Sequence, residues 1–106
     1  MSAFVRLNQA EFEEKVLRAT QPVLVDFSAP WCGPCKRLEP ELEKLAEALG
    51  KDWQYYQVNV DEAGELAGSL MILGVPTVIL FVGGQEKKRI SGYQPLSRLL
   101  AVFGKV

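Results

Sequence analysis

Cys32 and Cys35 are the residues of this 106-residue chain whose types and spacing most clearly point to chemistry. They are its only cysteines, and the chain has no histidine. Without histidine there can be no Ser-His-Asp or Cys-His catalysis and no His-ligated metal site. Two thiolates are too few for a four-thiolate zinc or iron–sulfur centre within one chain. A disulfide between them would close too short a loop to stabilise the fold much, so the Cys-x-x-Cys spacing predicts redox chemistry or a metal shared between two chains.

The two cysteines are expected to differ in reactivity because of where the predicted helix begins. Cys32 follows a buried strand at Val23–Phe27 and precedes a helical pattern that runs from Pro34 to Leu49. Unpaired backbone N–H groups and the helix dipole lower the pKa of a thiol at that position, so Cys32 is the predicted nucleophile. Cys35, one turn inside, is expected to be buried and protonated. The alternative is a pair of inert core cysteines.

Asp26 is a carboxylate within an otherwise apolar strand pattern. Burying a carboxylate costs free energy unless it is paired or protonated, so burial is expected to raise the pKa of Asp26. The alternative is an aspartate at the strand end that points into solvent or caps a neighbouring element.

Strand and helix patterns alternate along the chain in the order β-α-β-α-β-α-β-β-α. Strands are predicted at Ala3–Leu7, Val23–Phe27, Trp53–Val60, Thr77–Val82 and Lys87–Ile90. Helices are predicted after an Asn8/Glu11 capping box (apolar side Phe12, Val16 and Leu17), from Pro34 to Leu49, over residues 62–70, and at Ser97–Phe103. Asp61 is expected to cap the helix over residues 62–70. Pro34 stands at the first position of its helix, where it loses no backbone donor. The order predicts an α/β fold, a central mixed sheet of about five strands flanked on both faces by about four helices.

Composition narrows the class of protein. Residues 1–106 are predicted to form a single domain, with 48% hydrophobic and 24% charged residues. A net charge of −1 gives no electrostatic reason to expect nucleic acid or an anionic membrane as a partner. The longest apolar run, Val78 to Val82, is far shorter than the ~20 residues of a membrane helix. The residues from Met1 to Leu7 lack the features of a secretory signal, so a cytoplasmic location is expected.

The chain resembles the thioredoxin family over about residues 3 to 104. The residues that carry this resemblance are Trp31-Cys32-Gly33-Pro34-Cys35, Val25-Asp26-Phe27 before them, Lys36 and Pro40 after them, Asn59 and Asp61, Gly74-Val75-Pro76-Thr77, and the glycines Gly84 and Gly92. The resemblance implies a thioredoxin fold and a protein-disulfide reductase that acts by dithiol/disulfide exchange. It also implies disulfide-containing protein substrates, a thioredoxin reductase as electron donor, and a monomer.

The resemblance also assigns roles to particular residues. Cys32 attacks the substrate disulfide, Cys35 resolves the mixed disulfide, and Asp26 accepts the proton of Cys35. By residue statistics alone the Val75–Pro76 bond is expected to be trans, whereas the resemblance implies a cis bond that packs against the cysteines. Gly33 and Pro34 complete the catalytic motif. An apolar substrate-binding rim around Cys32 is formed by Trp31, Ile72, Gly74, Val75, Pro76 and Gly92, although Ile72 alone reads equally well as a core residue.

No bound cofactor is expected beyond the redox-active Cys32–Cys35 disulfide, because neither common phosphate-binding glycine motif occurs. No metal is expected within one chain, because it has no histidine and only two cysteines. Three positions depart from the family pattern. Gln57 stands where many relatives have a lysine near Asp26, and Ser28 and Ser91 stand where many have larger apolar residues. Two rival functions stay open: a scaffold module in which the thiols are incidental, and a homodimer bridged by a metal on two Cys-x-x-Cys pairs.

Overall fold

A five-stranded mixed sheet forms the centre of the computed structural model, with the strand order β1-β3-β2-β4-β5. The structure describes residues 3–104; the first two and last two residues of the predicted domain lie outside that range. The strands are β1 Val5–Arg6, β2 Val23–Ser28, β3 Gln54–Asn59, β4 Thr77–Val82 and β5 Gln85–Ser91. β1, β3 and β2 are parallel, and β4 is antiparallel to both β2 and β5. The predicted mixed sheet is therefore confirmed.

Three α-helices accompany the described strands: α1 Gly33–Leu49, α2 Gly64–Ser69 and α3 Leu96–Phe103. The predicted first helix is instead a 3₁₀ turn at Gln9–Glu11 followed by a π-helical turn at Glu13–Leu17. Its capping box is confirmed, because Asn8 and Glu11 exchange two backbone-to-side-chain hydrogen bonds of 3.1 Å. Val16 is buried but Leu17 is exposed, since neighbouring residues of a helical turn point in directions about 100° apart.

Apolar side chains fill the space on both faces of the sheet, as predicted. On one face, α1 and α3 cover a cluster that includes Leu24, Leu38, Leu42, Leu80, Leu99 and Phe103. On the other face, the N-terminal turns and the strands build a cluster that includes Phe12, Val16, Val23, Val25, Phe27, Ile79 and Phe81. All six residues of β2 are buried. Burial of each large aliphatic or aromatic side chain contributes about 1.5–3 kcal/mol to the free energy of unfolding, so β2 is firmly held in the core.

The register of the sheet brings three loops to one end of the molecule. Antiparallel pairing places Phe27, near the end of β2, opposite Thr77, at the start of β4. Thr77 in turn pairs with Ser91 at the end of β5. The loops that carry the cysteines, Pro76 and Gly92 therefore emerge side by side.

Candidate active site

The two cysteines form a disulfide across the first turn of α1. Cys32 is the N-cap residue, and its Sγ accepts a hydrogen bond of 3.1 Å from the backbone N–H of Cys35. This confirms the helix-terminal position predicted for Cys32, because an unpaired N–H group of the first turn points at its sulfur. In a reduced protein the same donor would favour the Cys32 thiolate.

Burial of the two cysteines differs less than the sequence suggests. Cys35 is 2% exposed, as expected, but Cys32 is only 4% exposed. The disulfide holds Cys32 against Cys35 in a small apolar cluster with Ala29 and Val75, which accounts for its low exposure in this oxidised state. Because α1 begins at Gly33, Pro34 is at the second helical position and not the first. It still loses no helix hydrogen bond there.

Pro76 follows a cis peptide bond with Val75, and Val75 packs against the two cysteines. The cis bond implied by the family resemblance is therefore confirmed, and the trans bond expected from residue statistics is wrong. Cys32 Sγ lies 3.7 Å from the carbonyl oxygen of Val75. Neighbouring contacts fix this loop: the Thr77 hydroxyl donates to the Gly74 carbonyl at 2.7 Å, and the Gly92 N–H donates to the Pro76 carbonyl at 2.8 Å.

Trp31 is a large exposed side chain beside the disulfide, with 69% of its surface open to solvent. Its indole N–H donates a hydrogen bond of 2.9 Å to Asp61 Oδ2. Asp61 was expected to cap α2, but Ala63 holds the N-cap position and makes no side-chain capping bond. Asp61 instead follows β3 in a turn, where its own N–H bonds Asn59 Oδ1, and its carboxylate is thereby turned toward Trp31.

Asp26 is buried in the middle of β2, with 1% of its surface exposed. Burial raises the pKa of Asp26 to about 7, against a smaller lowering by a hydrogen bond from Gln57 and a further small raising by the charge of Glu39. The raised pKa predicted from the sequence is thus confirmed, and the solvent-facing alternative is wrong. Asp26 Oδ1 is buried without a hydrogen-bond partner.

Gln57 sits opposite Asp26 in the β2–β3 register and reaches it with its side-chain amide. Gln57 also lines a cleft of about 150 Å³, whose other walls are Arg6, Ser28, Ala29, Pro30, Lys36, Glu39 and Asn59. The small side chain of Ser28 leaves this space open at the end of β2. Polar and charged side chains therefore surround Gln57, the hydrogen-bond partner of Asp26, in this cleft.

The remaining residues of the predicted rim are unequally placed. Gly74 is exposed, Val75 and Gly92 are partly buried, and Pro76 is buried. Ile72 is partly buried against the core cluster on the sheet, in keeping with its core interpretation. Ser91, on the outer side of β5, lies 3.5 Å from the Thr77 hydroxyl.

Several exposed side chains near these loops were missed by the sequence interpretation. The guanidinium of Arg37 lies 5.9 Å from the ring centre of Tyr93, which places an aromatic–cation pair next to Gly92. Met71 and Leu73 are the other two, on either side of Ile72, and both are strongly exposed. The available signal was the run of apolar residues from Leu70 to Val75, which is broken by Gly74 and stands outside every predicted strand.

Within residues 3–104, no three or more of the side chains His, Cys, Asp and Glu are grouped so as to hold a metal ion. The same part of the chain contains no helix that is long and apolar enough to cross a membrane.

A disulfide that caps a helix, beside a loop with a buried cis-proline, is the arrangement that the resemblance to the thioredoxin family implies. The thioredoxin family model matches residues 3–105, and the chain belongs to the thioredoxin family. Its fold is the thioredoxin fold, and its redox group is the Cys32–Cys35 disulfide.

Curated relatives agree with this assignment. The chain is 41% identical to a thioredoxin of Alicyclobacillus acidocaldarius, over 98% of each chain. It is 41% identical to a thioredoxin of Mycobacterium tuberculosis, over 99% of this chain and 90% of the relative. It is also 38% identical to the chloroplastic thioredoxin M2 of Arabidopsis thaliana, over 93% of this chain. The chain spans about half the length of that plant relative, 53%.

Proposed function

We propose that this chain is a protein-disulfide reductase that takes disulfide-containing proteins as substrates. The observation that carries the proposal is the Cys32–Cys35 disulfide across the first turn of α1. At that position the helix N-terminus stabilises the Cys32 thiolate, while Cys35 lies in the first turn of the helix.

The reaction begins with both cysteines reduced. The Cys32 thiolate attacks one sulfur of the substrate disulfide, and the other substrate sulfur leaves as a thiolate. Cys35 then loses its proton and attacks Cys32 Sγ. This step forms the Cys32–Cys35 disulfide, releases the second substrate thiolate, and moves two electrons from the protein to the substrate.

Asp26 is the proposed acceptor of the Cys35 proton. A carboxyl group whose pKa is about 7 can hold or release a proton at neutral pH, which suits a general base. Gln57 orients the carboxylate through its amide, and the cleft beside Gln57 gives the proton a polar route toward solvent.

Substrate polypeptide is proposed to lie across Trp31, Gly74, Val75, Pro76 and Gly92, with Ile72 supporting them from below. Gly33 and Pro34 hold the two sulfurs at their spacing. Trp31 is fixed by Asp61, so its exposed face offers an apolar contact that loses little side-chain freedom on binding.

The electron donor is proposed to be a thioredoxin reductase, and the chain is proposed to act as a single-domain cytoplasmic monomer without a further cofactor. The family match supports the reductase and the protein substrates. A location that keeps thiols reduced fits a protein whose working form is a dithiol.

Reduction of insulin disulfides tests the proposal. With dithiothreitol as the terminal reductant, the protein should accelerate insulin reduction, and a Cys32→Ser/Cys35→Ser double variant should not. A double variant that keeps the protein's effect on a partner, together with no insulin reduction by the unaltered chain, would favour the scaffold function. Stoichiometric zinc or iron in protein purified under reducing conditions would favour the metal-bridged dimer.

A further inference from the structure

The turn that follows α2 is held in an unusual backbone conformation. Its Met71 has a φ of 56°, in the left-handed region that favours glycine. The N–H of Met71 donates to the Gly68 carbonyl at 3.0 Å, and the N–H of Ile72 donates to the Ala67 carbonyl at 2.9 Å. These two bonds make a Schellman cap, whose left-handed position is here filled by a large apolar side chain.

Arg89, on strand β5, binds this turn through its guanidinium group. Its Nη2 donates to the Leu70 carbonyl at 2.7 Å, and its Nη1 donates to the Met71 carbonyl at 3.3 Å. Glu86 holds the same guanidinium through two further bonds, from Nε at 2.8 Å and from Nη2 at 2.7 Å. A planar guanidinium has several donors in fixed positions, so it can donate to a carboxylate and to two carbonyls at once. The ammonium group of a lysine cannot reproduce this geometry.

The 70–73 turn, which Arg89 holds, presents two large side chains to solvent. Met71 is 72% exposed and Leu73 is 95% exposed. Leu73 is two residues from Val75, so their Cα atoms are at most about 7 Å apart. Since the Val75 carbonyl oxygen is 3.7 Å from Cys32 Sγ, the segment of backbone that carries Leu73 leads directly to the disulfide.

We propose that Met71 and Leu73 form a selectivity patch for apolar side chains next to the substrate cysteine, and that Arg89 is the positioning residue that holds it. The inference rests on the proposed reductase function and adds the class of protein disulfide that this chain prefers. When a substrate cysteine is joined to Cys32, the residues next to that cysteine must contact the loop that precedes Pro76. No charged residue occurs between Leu66 and Gln85, and the charges of Arg89 and Glu86 beside the turn are paired with each other at 2.7 Å. A leucine or phenylalanine of the substrate therefore fits this patch better than a charged side chain.

Two cyclic disulfide peptides that differ only in leucine or serine beside a cysteine are the probes. Bis(2-hydroxyethyl) disulfide, which is too small to reach the patch, is the reference substrate. The rate constant of the reduced protein is measured with each. The unaltered chain should prefer the leucine peptide by about fivefold, the effect of one well-placed apolar contact. Leu73→Ser should abolish the preference and leave the rate with the small disulfide unchanged.

Met71→Gly separates recognition from stability. Glycine relieves the left-handed strain, so this variant should be at least as resistant to urea as the unaltered chain while its preference for the leucine peptide falls. Arg89→Ala should also reduce the preference, and Arg89→Lys should restore only part of it. Lys87→Ala removes a cation from the same strand without touching the turn, and should change nothing.

Two results would overturn the inference. One is that the unaltered chain reduces both peptides, but at equal rates. The other is a loss in Leu73→Ser or Arg89→Ala that is as large for the small disulfide as for the leucine peptide. Failure of the unaltered chain to reduce any of the three substrates would overturn the proposed reductase function together with this inference.

Discussion

The side-chain amide of Gln57 donates a hydrogen bond of 3.2 Å to Asp26 Oδ2, while Asp26 Oδ1 has no partner. A single neutral donor stabilises the ionised carboxylate less than a cation would. Burial therefore dominates, and it raises the pKa of Asp26 to about 7. The buried acid is consequently able to change its charge near neutral pH, where thiol exchange takes place.

Asp26→Asn should stabilise the oxidised protein at neutral and higher pH while slowing its turnover. Folding raises the pKa of Asp26 from an ordinary 3.8 to about 7, so the unaltered protein loses stability as pH rises through that window and loses no more above it. At pH 8 the variant should gain roughly 2–4 kcal/mol in the free energy of unfolding, and at pH 4 almost nothing. Urea melts of oxidised protein at the two pH values measure this.

Glu62→Gln, which neutralises an exposed carboxylate, is the control for Asp26→Asn and should show no such pH dependence. A lower stability of Asp26→Asn at pH 8 would mean that the carboxylate makes a strong native interaction.

Gln57→Lys should lower the pKa of Asp26, because an ammonium group would replace the neutral amide beside the carboxylate. An opposite charge at such a distance commonly lowers a carboxyl pKa by 1 or more, so a value of about 6 or less is expected. NMR titration of the Asp26 carboxyl carbon in oxidised protein measures it. Gln57→Leu, which removes the donor without adding charge, should move the pKa in the opposite direction; an unchanged value in both variants would contradict the pairing described above.

Cys35→Ser should arrest the cycle after the first exchange. A serine hydroxyl does not resolve the mixed disulfide, so this variant should accumulate adducts with substrate proteins through Cys32 that dithiothreitol releases. Cys32→Ser should form few, because Cys35 is buried and lacks the helix-terminal stabilisation of its thiolate. Non-reducing gels of both variants after incubation with a cell extract make the comparison. Equal trapping by the two variants would contradict the assigned order of attack.

Gly84→Ala should be much more destabilising than Gly83→Ala, although both glycines lie in the β4–β5 turn with positive φ. A Cβ at Gly84 would lie 2.6 Å from the Leu17 carbonyl oxygen, whereas one at Gly83 would meet nothing within 4 Å. Gly83→Ala should therefore cost only the backbone conformation, about 1–2 kcal/mol, and Gly84→Ala roughly 1–3 kcal/mol more for the clash. Urea denaturation gives both values, and equal losses would show that the turn moves away from Leu17.

Local patterns in the sequence were sufficient for the parts of the site that depend on neighbouring residues. Cys32 and Cys35 are placed by the start of one helix, and the burial of Asp26 follows from the apolar residues on either side of it. The cis bond before Pro76 required the family resemblance, because no local pattern of residues specifies it.

Contacts between distant parts of the chain could not be predicted in the same way. Asp61 reaches Trp31 across 30 positions, and Arg89 reaches the Leu70 carbonyl across 19. Such bonds depend on the sheet register and on where a turn directs one side chain. The π-helical turn at Glu13–Leu17 was also missed, since its apolar spacing is too short to distinguish it from an α-helix.

The attachment of the 70–73 turn to β5 has an evolutionary consequence. The sulfurs are carried by the β2–α1 connection and the first turn of α1, whereas Arg89, which bonds the turn, and its partner Glu86 lie on the edge strand β5. Under the proposed selectivity, substitutions at positions 71, 73 and 89 alter which proteins are reduced while the exchange between the two sulfurs stays as it is. Descendants of one ancestral chain could divide a pool of targets among themselves by drifting at these three positions, each keeping the same disulfide.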